Sequence, residues 1–268
     1  MKKLLAIFLA ALGFSLPASA TTYSVDYTDI WYNAPAESES GWGVNIIQQN
    51  EVLFVTLFVY GTDGSPRWYV GPNVFASNTI TYGGTLYSVV GSYFGAPWNP
   101  PSTASPVGSI NFSFASPNSG ILSYNVNGVT VTKNITRQTF KGDNLGGNYI
   151  GGTTARGSAC GGNGGILISG ELTVSHNNTA IGMTVDFVSS GGLNSRCTYA
   201  GTYEQAGRLG AIKSGTFNCT IGTTNNALVG NFEVTEITTS RTGFTGAFAG
   251  QDQFCAYSGF FGGTKDVF

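Results

Sequence analysis

The sequence predicts an all-β protein made of two antiparallel, barrel-like domains. Charged residues are only 10% of the chain, whereas glycine accounts for 39 of the 268 residues. The scarcity of Glu and Lys disfavours long solvated helices, and no segment has a 3.6-residue apolar period. All four Trp lie before residue 100 and all four Cys after residue 150. This segregation indicates two domains. An internal repeat in the second predicts that it is an eight-stranded up-and-down barrel.

The charge balance excludes some classes of partner. Twelve Lys and Arg stand against fourteen Asp and Glu, and no basic run follows Lys3. Nucleic-acid binding needs a clustered basic surface, so we expect no nucleic-acid partner. The 41% hydrophobic share disfavours disorder.

Residues 1–20 have the layout of a bacterial signal peptide. Lys2 and Lys3 precede an apolar run, and Ala18-Ser19-Ala20 offers a cleavage site of small residues. We therefore expect export, with a mature chain that begins at Thr21. The expected location is periplasmic or secreted.

Residues 21–143 read as a Trp-rich β domain. The predicted strands are separated by turn residues, and Asp63-Gly64 and Asn127-Gly128 are strong hairpin signals. The strands are Gly43–Gln49, Val52–Tyr60, a strand from Arg67, Thr79–Val90, Val107–Phe114, Ile121–Val126 and Val129–Phe140. The Pro-rich loop Gly95–Pro106 should be extended or irregular.

The strand Val52–Tyr60 is apolar on both of its faces. A strand with one wet face alternates apolar and polar residues, so we expect both faces to be covered. One would line a barrel or sandwich interior. The other would meet the second domain, a partner or lipid.

Residues 144–268 contain the internal repeat. Cys197-Thr-Tyr-Ala-Gly-Thr-Tyr203 resembles Cys255-Ala-Tyr-Ser-Gly-Phe-Phe261, and the spacings Cys160–Cys197 and Cys219–Cys255 are nearly equal. Each repeat has room for about four strands of ordinary length. Eight strands can close into a small up-and-down barrel that has no edges.

Four Cys in an exported chain favour two disulfides, and their spacing is wrong for zinc. In a closed meander the fourth and fifth strands are neighbours, as are the eighth and the first. This adjacency predicts Cys197–Cys219 and Cys160–Cys255 among the three available pairings. We expect no metal and no cofactor.

An aromatic cluster is the candidate binding site. It combines Trp31-Tyr32, Glu39-Ser40-Gly41-Trp42-Gly43 and Asp63-Gly64-Ser65-Pro66-Arg67-Trp68-Tyr69. One interpretation is a structural plug at a barrel end around Trp42. The other is a ligand platform of Trp31, Tyr32, Trp42, Trp68 and Tyr69, with Glu39 and Arg67 as polar handles.

Over Ile30–Val70 these motifs resemble a signature, ESGWG followed by DG.P.WY, of largely uncharacterised exported bacterial β-rich proteins. The resemblance implies export and a β-rich fold. It transfers no chemistry.

Catalytic candidates are sparse. The single histidine, His176, lies in a predicted turn, and no Gly-x-Ser-x-Gly elbow accompanies it. The pairs Glu37/Glu39 and Glu233/Glu236 could serve glycoside hydrolysis.

The sequence therefore favours a non-enzymatic envelope protein that binds a small molecule at the first barrel or an envelope protein through the Val52–Tyr60 face. The alternatives are an outer-membrane barrel and a carboxylate-dependent polysaccharide hydrolase.

Overall fold

The computed structural model describes residues 25–99, 102–157 and 165–266, whose regular structure is entirely β. The predicted signal peptide, residues 1–20, lies outside this range. Among the described residues, no helix has the length and apolar character needed to cross a membrane. The sixteen strands form two closed antiparallel barrels of eight strands each. This confirms the two predicted barrels and the eight strands of the second, whereas the first has one strand, Asp29–Asn33, beyond the seven predicted.

In the first barrel each strand pairs with its sequence neighbours, and β8 closes on β1. Its strands are β1 (Asp29–Asn33), β2 (Gly43–Gln49), β3 (Val52–Tyr60), β4 (Pro66–Ala76), β5 (Thr81–Val90), β6 (Thr103–Ser116), β7 (Ser119–Val126) and β8 (Val129–Arg137). Strand β6 begins inside the predicted Pro-rich loop. Pro106 fits there because the β5–β6 register shifts next to its partner Tyr87.

The second barrel repeats this meander, and β16 closes on β9. Its strands are β9 (Gly147–Gly157), β10 (Gly165–Asn177), β11 (Ala180–Val188), β12 (Asn194–Ala206), β13 (Leu209–Ile221), β14 (Thr224–Ser240), β15 (Gly243–Asp252) and β16 (Ala256–Lys265). The proposed domain boundary, at residues 143 and 144, falls in the connection between β8 and β9.

Aromatic side chains fill the first barrel. Tyr27 stacks on Phe114 with ring centroids 3.6 Å apart, and Trp31 lies 5.2 Å from the Phe114 ring. Tyr82 and Phe112 complete this fully buried group. On β3, alternation brings Leu53, Val55 and Leu57 into the same interior.

The second barrel is cross-linked inside. Cys197 and Cys219 face each other across β12 and β13 and form a disulfide, and both are fully buried. This confirms the predicted pairing of the fourth and fifth strands. Cys255 is also disulfide-bonded. Its predicted partner Cys160 lies outside the described residues.

The barrels meet where β1 begins and β8 ends. The backbone N–H of Arg208, in the β12–β13 hairpin, donates to Asp29 Oδ2 at 2.8 Å, and the Arg208 guanidinium pairs with Asp26. Arg137, whose side chain is fully buried, donates to the same Asp29 oxygen at 3.0 Å. One carboxylate thus accepts hydrogen bonds from both barrels.

Candidate functional site

The predicted aromatic cluster lies mainly at one end of the first barrel. Because β1 starts and β8 ends beside the second barrel, the connections after β1, β3, β5 and β7 all lie at the opposite end. We call this the free end. It carries Glu39, Trp42, Arg67 and Trp68.

Within the first motif, Glu39 is held by two donors. Trp42 Nε1 donates to Glu39 Oε2 at 2.8 Å, and Lys133 Nζ donates to the two carboxylate oxygens at 2.6 and 2.9 Å. Lys133 also lies 5.6 Å from the centroid of the Trp42 ring. These hydrogen bonds, that from Lys133 foremost, lower the pKa of Glu39. Glu39 is therefore ionised, and both of its carboxylate oxygens already accept hydrogen bonds within the protein.

The two glycines of this motif leave room for aromatic side chains of β3 to pack against the backbone. Gly41 has φ +99°, and a Cβ there would lie 2.5 Å from the Tyr60 hydroxyl. A Cβ on Gly43 would lie 2.7 Å from the Phe58 ring. The spacing Gly41-Trp42-Gly43 thus lets Tyr60 and Phe58 pack on backbone while Trp42 turns toward the core.

The second motif is a self-contained turn. Asp63 accepts hydrogen bonds from the Ser65 hydroxyl at 2.7 Å, from the Ser65 N–H at 3.1 Å and from Arg67 Nη2 at 2.9 Å. These bonds, led by the Ser65 hydroxyl, lower the pKa of Asp63 to about 2. Gly64 takes φ +74°. The Arg67 side chain thus stabilises, through Asp63, the turn that precedes Trp68.

Trp31 stands apart from the surface cluster. It is fully buried in the barrel, where its Nε1 donates to the Tyr27 carbonyl at 2.9 Å. The Arg137 guanidinium lies 4.8 Å from its ring centroid. Tyr69 also packs against the core, and Tyr32 is half-buried on β1. The structure therefore joins Glu39 to Trp42 and Arg67 to Trp68, and it separates Trp31 from both pairs.

Large apolar side chains cover the outside of β2, β3 and β4. Cross-strand register pairs Ile47 with Phe54, and Phe58 with Trp68. We call this surface the outer aromatic face; its members are Ile47, Phe54, Phe58, Tyr60, Trp68 and Phe75. Ile47, Phe54, Tyr60, Trp68 and Phe75 are between 42 and 57% exposed. The second face of Val52–Tyr60, predicted to be covered, is therefore accessible in the single chain.

Lys133 was not among the predicted site residues. It is 94 positions from Glu39 in the sequence and reaches it only because β8 closes on β1. The signal that could have revealed it is the alternation along β8, where Lys133 shares the inward face with Ile135 and Arg137.

The remaining catalytic candidates occupy structural positions. His176 lies at the end of β10, not in a solvated turn; its Nδ1 accepts from the Leu145 N–H at 3.1 Å. Glu236 lies at a bulge of β14 with φ 54°, and burial raises its pKa. Glu37 lies in the exposed β1–β2 loop, and Glu233 is exposed on β14.

The chain matches no protein-family model and no curated protein sequence. The resemblance of Ile30–Val70 to exported bacterial proteins therefore stays a prediction.

Proposed function

We propose that this protein is a non-enzymatic interaction protein of the bacterial cell envelope that docks a partner through the outer aromatic face. The observation that carries the proposal is the exposure of Phe54, Tyr60, Trp68 and Phe75 on the outside of two neighbouring strands. Large contiguous apolar surfaces on a folded domain mark interaction sites, and Trp and Tyr are enriched in binding hot spots.

A protein partner fits the first barrel better than a small molecule inside it. Trp31, Tyr27 and Phe114 occupy the interior. At the free end, Glu39 and Lys133 pair with each other above Trp42. A ligand entering there would have to displace packed side chains and break an ion pair.

The proposed location is periplasmic or secreted. The Cys197–Cys219 disulfide is consistent with an oxidising, extracytoplasmic compartment. The predicted signal peptide supplies the further argument for export.

The observations favour this function over both alternatives. A glycosidase general acid needs a raised pKa, and this disfavours the Glu37/Glu39 pair because the hydrogen bonds from Lys133 and Trp42 lower the pKa of Glu39. A barrel that spans the outer membrane presents apolar residues to lipid along each strand. On β10, Glu171, Thr173 and Ser175 face outward while Leu172 and Val174 face the core.

Site-specific photo-cross-linking in export-competent cells tests the proposal. A photoreactive residue replaces Tyr60 or Trp68, and matched controls replace Phe254 or Phe260, which are 68 and 66% exposed on the second barrel. We expect discrete adducts from the first pair alone. Equal labelling from all four positions, or none from Tyr60 and Trp68, would refute docking through this face.

A further inference from the structure

We propose that the loop formed by residues 91–99, which follows β5, inserts into the interface of a lipid bilayer. This loop projects from the free end of the first barrel, away from the second barrel. Its exposed apolar side chains are Tyr93 at 68%, Phe94 at 95% and Trp98 at 68%, and Val90 at 70% lies at its base. We call these four residues the aromatic tip. They are distinct from the outer aromatic face.

The aromatic tip lies in an unusually long uncharged segment. The 65 residues from Trp68 to Thr132 contain no Asp, Glu, Lys, Arg or His. They supply β5, β6, β7 and their connections, together with nearly all of β4. Surface loops and the rims of protein interfaces are ordinarily polar. Exposed aromatics without any neighbouring charge in the sequence match a neutral, apolar environment instead.

The types of side chain in the tip favour a bilayer interface. Trp and Tyr have an apolar ring and a polar group, and they concentrate where lipid tails meet headgroups. Phe94, which has no polar group, is the most exposed of the four and would enter deepest. Tyr93 and Phe94 have ring centroids 4.7 Å apart, so they present one apolar surface.

Hydrogen bonds within the loop lower the cost of insertion. The Ser92 hydroxyl donates to the Asn99 carbonyl at 2.7 Å and accepts from the Asn99 N–H at 2.9 Å, which closes the neck of the loop. The Ala96 N–H donates to the Tyr93 carbonyl at 3.1 Å. Pro97 has no N–H to satisfy. Because unpaired backbone groups are costly in lipid, these bonds suit the loop to shallow insertion.

The basic side chains near the aromatic tip are paired with carboxylates, and the β1–β2 connection adds a further acidic residue, Glu37. Arg67 pairs with Asp63, and Lys133 pairs with Glu39. The tip therefore offers no net positive charge to anionic lipids. Its binding should depend on apolar contact and be nearly insensitive to salt and to headgroup charge.

Vesicle flotation tests this inference. The chain starting at Thr21, which keeps every described residue, is floated with phosphatidylcholine vesicles with and without phosphatidylglycerol, at low and high salt. We expect binding under all four conditions. Replacing Tyr93, Phe94 and Trp98 together by Ser should lower partitioning by at least about tenfold.

Phe254, Phe260 and Val188, which are 65 to 68% exposed on the second barrel, provide a matched triple replacement by Ser. This control should bind like the parent. If the triple tip variant fails to fold, Phe94→Ser alone repeats the test at a side chain with little burial to lose. Absence of parent binding, equal binding by the tip variants, or binding confined to anionic vesicles at low salt would each overturn the inference. Cross-links from Tyr60 or Trp68 do not depend on this outcome, so the two proposals can fail separately.

Discussion

The first barrel is centred on Tyr27 stacked against Phe114, whereas the second encloses the Cys197–Cys219 disulfide between neighbouring strands. Both are eight-stranded meanders closed by pairing of the last strand with the first. The same topology is therefore stabilised by aromatic packing in one barrel and by a covalent cross-link in the other. Closure removes the free sheet edges in both and leaves the core composition free to differ.

The outer surfaces differ as much as the cores. The second barrel carries charged pairs on neighbouring strands, such as Arg196–Asp186 and Lys213–Glu204. The first barrel exposes Trp68, Phe75 and Phe94 within its uncharged segment. Inward-facing positions are mostly apolar because they fill the interior of a small barrel, whereas outward-facing positions respond to the environment. Under the proposed function, this difference reflects contact with partners through the first barrel.

The aromatic core can be broken at Trp31. Trp31→Ala removes a fully buried indole and should cost about 3–5 kcal/mol of unfolding free energy. Denaturant unfolding monitored for the first barrel measures this loss. Trp68→Ala removes the same side chain from a position that is 55% exposed and should change stability by about 0.5 kcal/mol or less. Similar losses in both variants would contradict the assignment of Trp31 to the core.

The covalent core can be broken by replacing both Cys197 and Cys219 with Ala. The disulfide closes a segment with a sequence separation of 22, and its removal should cost the second barrel about 3 kcal/mol. Thermal unfolding measures the shift, with the outward-facing Thr216→Ala as the control. An unchanged midpoint would mean that the Cys197–Cys219 disulfide does not stabilise this barrel.

Trp42, at the free end of the first barrel, can be compared with the buried Trp31 by the stability that each loses on replacement by Ala. Trp42 is half-buried, so Trp42→Ala should cost about 1–2 kcal/mol, less than a central plug would. The same variant removes one hydrogen bond to Glu39 and the aromatic ring beside Lys133. Chemical denaturation of both variants shows which of the two side chains contributes more to the free energy of unfolding. A loss equal to that of Trp31→Ala would restore Trp42 as the plug.

We expect the smallest change in unfolding free energy at Glu236, and we expect that change to depend on pH. Burial raises the pKa of this carboxyl above its ordinary value of 4.5, while Arg137 opposes the rise. The folded state therefore holds the proton more tightly than the unfolded state. This contribution to stability is complete below pH 4.5 and is lost as pH rises through the folded-state pKa.

Glu236→Gln should therefore be more stable than the parent at neutral pH, with a smaller loss of stability as pH rises from 4.5. Unfolding measured across this range tests the sign. Glu233→Gln, at an exposed position of the same strand, is the control. A variant less stable than the parent at neutral pH would show that the attraction to Arg137 outweighs burial.

Local patterns were sufficient to predict much of the fold. The predicted Gly43–Gln49 and Val52–Tyr60 have the same bounds as β2 and β3, because alternation and turn residues are local signals. The Cys197–Cys219 pairing followed from strand adjacency in a closed meander. Each of these features can be predicted from segments that are neighbours in the sequence.

The seam of the first barrel could not be predicted in this way. Asp29, Trp31 and Asn33 share one face of β1, so polar residues interrupt the apolar alternation that would mark an interior strand. Asp29 is tolerated there because Arg137, from β8, supplies a hydrogen-bonded counter-charge. Likewise, the contact of Lys133 with Glu39 depends on closure between the ends of the barrel.

Hydrogen–deuterium exchange of Trp31→Ala against the parent tests most directly whether the barrels are separately stabilised. We predict that amide protection falls by about a hundredfold or more across β1–β8 and is retained across β9–β16, because the lost aromatic packing lies within the first barrel. An equal loss of protection in both barrels would contradict this account. It would mean that the shared Asp29 carboxylate, bound by Arg137 and Arg208, couples the barrels into one cooperative unit.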